Sequence, residues 1–518
     1  MAEISTLDRA SLERFQGELI AAGFNPVAGS VNEWVGPMPA PLARFTSEPT
    51  AKLVVRDGWP YVFPKLFAEG ISGEHVNADG EVCLWRLGDT SLQWTSWGGF
   101  LDRLSEFGEK MQGEFEQADL LLDANLYYAK RNVLKALALI DLALFKKTKR
   151  FVDGEQGSFF WAGKRPPTVA IDALGGPEKS QGRWYFRSKL QVPPRDLNGI
   201  RAALLPHQQV NFDRWVNSLN EGGNNERRLV VLIWSTAAGN NILVVKVTNI
   251  DGVLVDEAYE ASPVDIETLA LRAGSQAALF GSLNIVLFGA GAIGSHLALV
   301  LAESGLRQLT ICDGERLRPG NAVRHVAGKS FFGAMKVEAV AFIIGQHAPW
   351  TLVEKVADNI WSPARLSTQI ANADLVVECT GLTVFADQLS RITEQLKKNF
   401  VSAALYRGGA VARVRRQVVA RDFPIYRRNE RAAAYPIIPV GPQEENVVGI
   451  EVGCSSPVIN ASPISVQSIA GLTARIIQDI ILETFHLGEE VIEVYNPIDE
   501  KPFDSIGLVR IGAESSPS

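Results

Sequence analysis

The sequence predicts a multidomain α/β protein in three parts: an α+β block over residues 1–151, a strand-rich block over 152–281, and a block over 282–518 built on a mostly parallel sheet. Three observations carry this. The chain has 518 residues, 46% of them apolar, and domains run to roughly 100–200 residues, so a single core does not account for it. From residue 282 onward short apolar runs alternate with helical patterns, which is how a sheet covered by helices on both faces reads. Between 152 and 281 strand-like runs follow one another with turn signals between them.

In the first block Leu7, Leu12, Phe15, Leu19 and Ile20 recur at helical spacing. Strand-like pieces follow at 51–55 and 61–66, the latter with Pro60 before it and Pro64 within it. Phe100, Leu104, Phe107 and Met111 lie at steps of four, three and four, one face of a helix. Residues 120–147 read as a further apolar helical region, and the basic run 146–150 (KKTKR) as a surface exit.

The middle block opens in loops rich in glycine and proline (Pro166, Pro167, Gly175, Gly176, Pro177). Strand candidates lie at 184–192, 229–234, 242–248 and 253–259, with a loop at 222–225. Asp251-Gly252 between two of them is a hairpin signal. No catalytic constellation is visible here, so this block reads as a linker or recognition domain.

The third block places strands at 283–288, 309–312, 352–356 and 374–378. The first runs directly into Gly289-Ala290-Gly291-Ala292-Ile293-Gly294 and then an apolar helix. Gly289 suits the tight turn, Gly291 lets backbone approach phosphates, and Gly294 lets the helix pack close to the strand. Phosphates would sit at the helix N-terminus. Asp313 closes the next strand, 24 residues beyond Gly289, where a carboxylate accepts hydrogen bonds from a ribose. Asn321, Arg324 and Lys336 follow. An amide, a guanidinium and an ammonium suit a triphosphate that develops charge during adenylyl transfer, which a hydride-transfer enzyme does not require.

Composition narrows the class. A net charge of -7 and a pI near 5.6 argue against a nucleic-acid partner. No apolar run approaches the roughly 20 residues that span a bilayer, and residues 1–15 lack an apolar signal core, so no membrane partner and a cytoplasmic location are expected. The four cysteines, Cys83, Cys312, Cys379 and Cys454, form no CxxC pair, so structural zinc is not expected.

The run GAGAIGS, then CDGERLRPGNAVRHVAG, FFGAMK and DLVVECTG, resembles the Rossmann-like adenylating domain of the ubiquitin-activating/ThiF/MoeB superfamily over about 100 residues. The resemblance implies that Gly289, Gly291, Gly294, Asp313, Asn321, Arg324 and Lys336 surround ATP and Mg2+. It implies attack by a protein C-terminal carboxylate on the α-phosphate, with Arg324 stabilising the transition state, and a homodimer. Family members often carry a magnesium-binding aspartate where this chain has Gly381, which leaves Glu378 or another carboxylate for the metal. An upstream arginine often reaches the γ-phosphate in the family; Arg272 either takes that role or is a plain surface arginine.

Cys83 follows a turn over 77–80 in the run EHVNADGEVCLW. This segment, with YVFP upstream at 61–64 and a tryptophan-rich stretch with a helix downstream, resembles the active-site region of ubiquitin-conjugating enzymes. The resemblance implies a thioester on Cys83 and an oxyanion donor in Asn77, which otherwise is a turn residue; the turn is shorter than in the eukaryotic enzymes. Cys454 sits between a polar Gly/Pro loop and a helix start, where a helix dipole favours the thiolate. Its place after the nucleotide-binding stretch resembles the crossover segment in which activating enzymes carry their catalytic cysteine, a resemblance that implies a thioester on Cys454. Cys312 and Cys379 read as packing residues on buried strands, and His296, His325 and His347 show no metal spacing.

Taken whole, the chain resembles bacterial fusions of a conjugating-enzyme domain, a linker and an activating-enzyme domain, as in CBASS antiphage operons and related ubiquitin-like operons. The implied partners are a protein with an activated C-terminus (a ubiquitin-like protein or a CD-NTase) and a target amine. A sulfur-carrier adenylyltransferase of the ThiF/MoeB kind and a non-catalytic scaffold remain as alternatives.

Overall fold

The structure, a computed structural model, describes residues 6–85, 88–112, 124–130, 137–145, 151–165, 168–172, 180–190, 192–219, 226–236, 239–270, 272–439, 447–450, 457–459 and 461–512. The chain divides into two compact units, Met1–Asp265 and Ile266–Ser518.

The first unit begins with the helix Thr6–Ala21 and an antiparallel sheet in sequential order. Its strands are β1 (Asn25–Pro26), β2 (Glu33–Pro37), β3 (Thr50–Val54), β4 (Lys65–Phe67) and β5 (Glu81–Val82). The helix Trp97–Gln112 buries Phe100, Leu104 and Phe107, as their spacing predicts. They close a core with Phe15, Leu19, Leu53 and Leu66. The strand expected at 61–66 starts only at Lys65, because a turn over residues 57–61 takes the residues around Pro60.

The rest of this unit is a barrel. Strands β6 (Leu137–Ile140), β7 (Gln156–Arg165), β8 (Thr168–Asp172), β9 (Ser180–Arg187), β10 (Arg227–Thr236), β11 (Gly239–Ile250) and β12 (Val253–Pro263) close in the order β10-β11-β12-β6-β8-β7-β9. On β10, Leu229, Val231 and Ile233 pack with Phe159 and Trp184, while Val230 and Leu232 pack against Phe212 and Trp215 of the helix Pro206–Asn217. Burial on both faces explains the unbroken apolar run. Asp251-Gly252 turns β11 into β12, with Ile250 opposite Val253.

Two expectations are corrected here. Residues 137–140 form a strand, not helix: β6 pairs in parallel with both β8 and β12, and these tertiary partners override the helical look of an Ala/Leu-rich run. β6 therefore joins the barrel, and the first block does not extend to 151. The second unit begins at Ile266 rather than 282, because Phe280 packs into its core with Ile285 and Leu306.

The second unit carries a sheet in the order β15-β14-β13-β16-β17-β18-β21-β22. These are β13 (Asn284–Phe288), β14 (Gln308–Cys312), β15 (Leu352–Val356), β16 (Leu375–Glu378), β17 (Asn399–Tyr406), β18 (Val411–Gln417), β21 (Glu490–Val494) and β22 (Gly507–Ile511). Strands β19 (Val447–Ile450) and β20 (Pro457–Ile459) form a separate pair. β15, β14, β13, β16 and β17 run parallel, and β18, β21 and β22 each pair antiparallel with the strand before them in the sheet. The helices Ala292–Glu303 and Pro463–Ile481 bring Leu297, Leu301, Ile469 and Ile476 into the main core.

Candidate functional site

Strand order reverses between β13 and β16: the chain leaves β13 toward β14 and returns on the other side at β16. In such sheets the carboxyl ends of the two central strands splay into a ligand crevice. Gly289 follows β13 and Cys379-Thr380-Gly381 follows β16, so both predicted stretches lie at this switch point.

Gly289 has φ +93°, and a Cβ there would lie 2.9 Å from Thr380 N. A Cβ on Gly294 would meet Gly289 O at 1.8 Å, so only glycine lets the helix Ala292–Glu303 start this close to the turn. Gly291, the N-cap of that helix, has open space where its Cβ would project. Open space, a helix N-terminus and a tight turn fit the phosphates of a nucleotide.

Asp313 is buried beside the turn. Its Oδ2 accepts from Ala290 N at 2.7 Å and its Oδ1 from Glu315 N at 2.8 Å. Burial pushes its carboxyl up from the ordinary value, and the Lys336 ammonium opposes this. Lys336 opens the helix Lys336–His347, is 7% exposed, and pairs with Glu315, which is half exposed. Asn321 and Arg324 lie half-buried on the 3-10 turn Pro319–Arg324, where Asn321 Oδ1 accepts from Arg318 N at 3.3 Å. Arg272 is exposed on a turn, and no described contact joins it to the crevice.

The expectation that Glu378 offers an oxygen to magnesium does not fit. Glu378 is 1% exposed. Its Oε1 accepts from Thr380 N (2.6 Å), Thr380 Oγ1 (2.5 Å) and Gly381 N (3.2 Å), and its Oε2 from Ser402 Oγ (2.8 Å). It shapes the turn after β16 from beneath. Gly381 sits at φ +76°, in the left-handed region that glycine adopts without steric cost. Among the described residues no group of three or more His, Cys, Asp or Glu could hold a metal ion.

Sequence reasoning passed over His325. Its Nε2 lies 2.9 Å from Ala290 O, and its Nδ1 accepts from Ala327 N at 3.0 Å. The available signal was its place directly after Arg324; metal spacing was the wrong criterion.

In the first unit Cys83 follows β5, half-buried, with its N–H donating to His75 O at 2.9 Å. Asn77 is buried on the preceding turn. Its Nδ2 donates to Glu81 Oε2 at 3.2 Å, and Glu81 also holds Lys65 at 2.8 Å. Trp85, Trp94, Phe63 and Phe100 pack ring against ring next to this segment. Cys312 and Cys379 are buried on or beside strands; burial pushes the Cys312 thiol up to about 12 and the Cys379 thiol well above its ordinary range. Cys454 lies outside the described residues.

Residues 266–500 match the ThiF family, so the second unit carries a ThiF family domain. Two relatives come from Sinorhizobium fredii (strain NBRC 101917 / NGR234). The uncharacterized protein y4oA is 28% identical over 208 residues, 36% of this chain and 34% of that protein. The uncharacterized protein y4qC is 32% identical over 157 residues, 28% of this chain and 27% of that protein. The chain thus matches between about a quarter and a third of the length of these curated relatives. Among solved structures, E. coli MccB with MccA-N7isoASN covers 46% of this chain and 67% of its own, at 16% identity and a TM-score of 0.37. The microcin C7 biosynthetic enzyme MccB with N-formylated MccA covers 61% and 83%, at 15% and 0.38. Among the described residues no helix is long and apolar enough to cross a membrane.

Proposed function

We propose that the second unit binds ATP at the switch point and adenylates the C-terminal carboxylate of a protein substrate. The observation that carries this reading is the ThiF family match lying over a strand–glycine turn–helix at the reversal of strand order, with Asp313, Arg324 and Lys336 on the elements that follow. The carboxylate oxygen attacks the α-phosphorus, the bond to the β-phosphate bridging oxygen breaks, and pyrophosphate leaves. Arg324 and Lys336 place positive charge where the phosphates develop negative charge, and Asp313 holds the glycine turn while facing the ribose. Magnesium would arrive on the phosphates, and no step here depends on a protein ligand to it.

The Cys454 thiolate then attacks the acyl carbonyl and releases AMP, the Cys83 thiolate takes the acyl group and frees Cys454, and a target amine takes it last, freeing Cys83 and leaving an amide. Each thioester keeps the carbonyl activated while changing its carrier. The half-buried position of Cys83 just after its turn supports it as the thiol of the first unit. The setting is a bacterial conjugation system of the antiphage kind, with a ubiquitin-like protein or a CD-NTase as the activated partner and two copies of this chain forming the enzyme. A sulfur-carrier adenylyltransferase would share the first half of the reaction and leave Cys83 idle.

The test is ATP–pyrophosphate exchange with purified chain, magnesium and each small protein encoded beside its gene. Exchange that depends on one of them supports the reading; no exchange with any of them overturns it.

A further inference from the structure

We infer that His325 is a positioning residue for the nucleotide: it locks the glycine turn to the segment that carries Arg324, so that phosphate donors and guanidinium form one rigid body. The inference rests on the ATP reading above and concerns how that same site is held.

The argument starts at Ala290, the residue between Gly289 and Gly291. Its peptide N–H donates to Asp313 Oδ2 at 2.7 Å. Its carbonyl faces His325 Nε2 at 2.9 Å. Because Ala327 N donates to His325 Nδ1 at 3.0 Å, Nδ1 is the acceptor and the proton sits on Nε2, which donates to Ala290 O. Both polar groups of one turn residue are therefore clamped by side chains from two different segments. Burial holds the imidazole neutral, pulling its pKa down to about 4, so this tautomer persists across the physiological range.

The seat is built from both sides. Val326 N donates to Ser295 Oγ at 3.3 Å, and Ser295 is fully buried in the helix that follows the glycine turn. Gly289 N is tied to Cys312 O at 2.9 Å. Residues 325–327 thus grip the turn and its helix immediately after Arg324, and a shift of this segment would move the guanidinium relative to the phosphate pocket. Preorganised donors contribute because they need no rearrangement when charge develops.

Asparagine and glutamine separate the two ends of the imidazole. Glutamine places an N–H near the Nε2 position and keeps the reach to Ala290. Asparagine places a polar atom near Nδ1, keeps the contact with Ala327 and withdraws from Ala290. Titration calorimetry of the full chain with ATP and magnesium reads the difference, and thermal melting confirms that each variant is folded. His325→Gln should bind ATP within about twofold of the unaltered protein, and His325→Asn about tenfold more weakly or worse, the usual consequence of an orphaned buried acceptor. A merely structural histidine would lower the melting temperature and leave the affinity of the folded molecules unchanged. Equal affinities for His325→Asn and the unaltered chain overturn the inference. An unaltered chain that binds no ATP overturns the nucleotide reading itself, a distinct result. Should His325→Asn fail to fold, His325→Gln binding ATP about tenfold more weakly than the unaltered chain would likewise count against the role assigned to Nε2.

Discussion

Arg195 reaches the turn before Cys83 and donates from Nη2 to the carbonyls of Asn77 at 3.4 Å and Ile71 at 2.9 Å. It does not act alone: Ala78 N donates to Leu126 O at 2.9 Å, and His75 N to Tyr127 Oη at 3.4 Å. The turn His75–Gly80 is thus braced by residues that belong to the sequence after the helix Trp97–Gln112. A domain that reads as a linker in the sequence shares in shaping the candidate thiol segment.

Arg195→Met keeps the apolar stem and removes the guanidinium. Two hydrogen bonds from a charged, half-buried donor are lost, so the first unit should lose about 1–3 kcal/mol in urea denaturation. Transfer from Cys83 to amine should slow in single-turnover assays, with ATP–pyrophosphate exchange unaffected. A variant that discharges its Cys83 thioester at the unaltered rate would show that the brace has no bearing on Asn77.

Glu378 gives a prediction in pH. Burial raises its folded pKa above the ordinary 4.5. A carboxyl raised in the folded state is protonated there while the unfolded chain has already ionised, so the folded state binds more protons and stability falls as pH climbs. The contribution is fully present below about 4.5, the unfolded value, and is lost as pH rises through the higher folded value. Glu378→Gln should remove this slope, so the stability difference between variant and unaltered chain should shift in favour of the glutamine variant between acid and neutral pH. Denaturation curves at several pH values measure it. Nucleotide binding by Glu378→Gln should keep its magnesium dependence, since the carboxylate is spent on Thr380, Gly381 and Ser402; loss of that dependence would return Glu378 to the metal.

Arg324→Ala should remove ATP–pyrophosphate exchange, with about 3 kcal/mol or more of transition-state stabilisation lost, while ATP still binds measurably. The measurement is exchange against ATP affinity in the same preparation. Full exchange in the variant would leave the charge on the transferring phosphate to Lys336 alone.

What could be read from residues alone follows physical range. The strand–glycine turn–helix at 284–303 was legible because its constraints are local: Gly294 stands where a methyl would strike Gly289 O. The β10 run was legible because both its faces are buried. β6 was not, since the four apolar residues Leu-Ala-Leu-Ile carry no period and their pairing with β8 and β12 comes from distant sequence. Glu378 misled for a related reason. Type and position suggested a metal ligand, but its use was decided by Ser402 on the neighbouring strand and by the Thr380 turn. His325 and Arg195 act through contacts with residues far along the chain, and no spacing rule reports those.

The relay carries the last prediction. Cys312 and Cys379 are buried thiols whose burial raises their pKa, which disfavours the thiolate that a nucleophile needs. In the proposed relay Cys83 and Cys454 are the acyl carriers. If the steps run in series, Cys454→Ala should leave ATP–pyrophosphate exchange intact and remove every thioester. Cys83→Ala should leave one thioester, on Cys454, seen on a non-reducing gel and cleaved by thiol reductant. Conjugates should vanish in both. Cys312→Ala and Cys379→Ala should keep both thioesters and cost about 1 kcal/mol in stability, as small core truncations do. The order is as open to test as the residues. A thioester on Cys83 in the Cys454→Ala protein would mean direct transfer from the adenylate, and the two-thiol scheme would then be wrong.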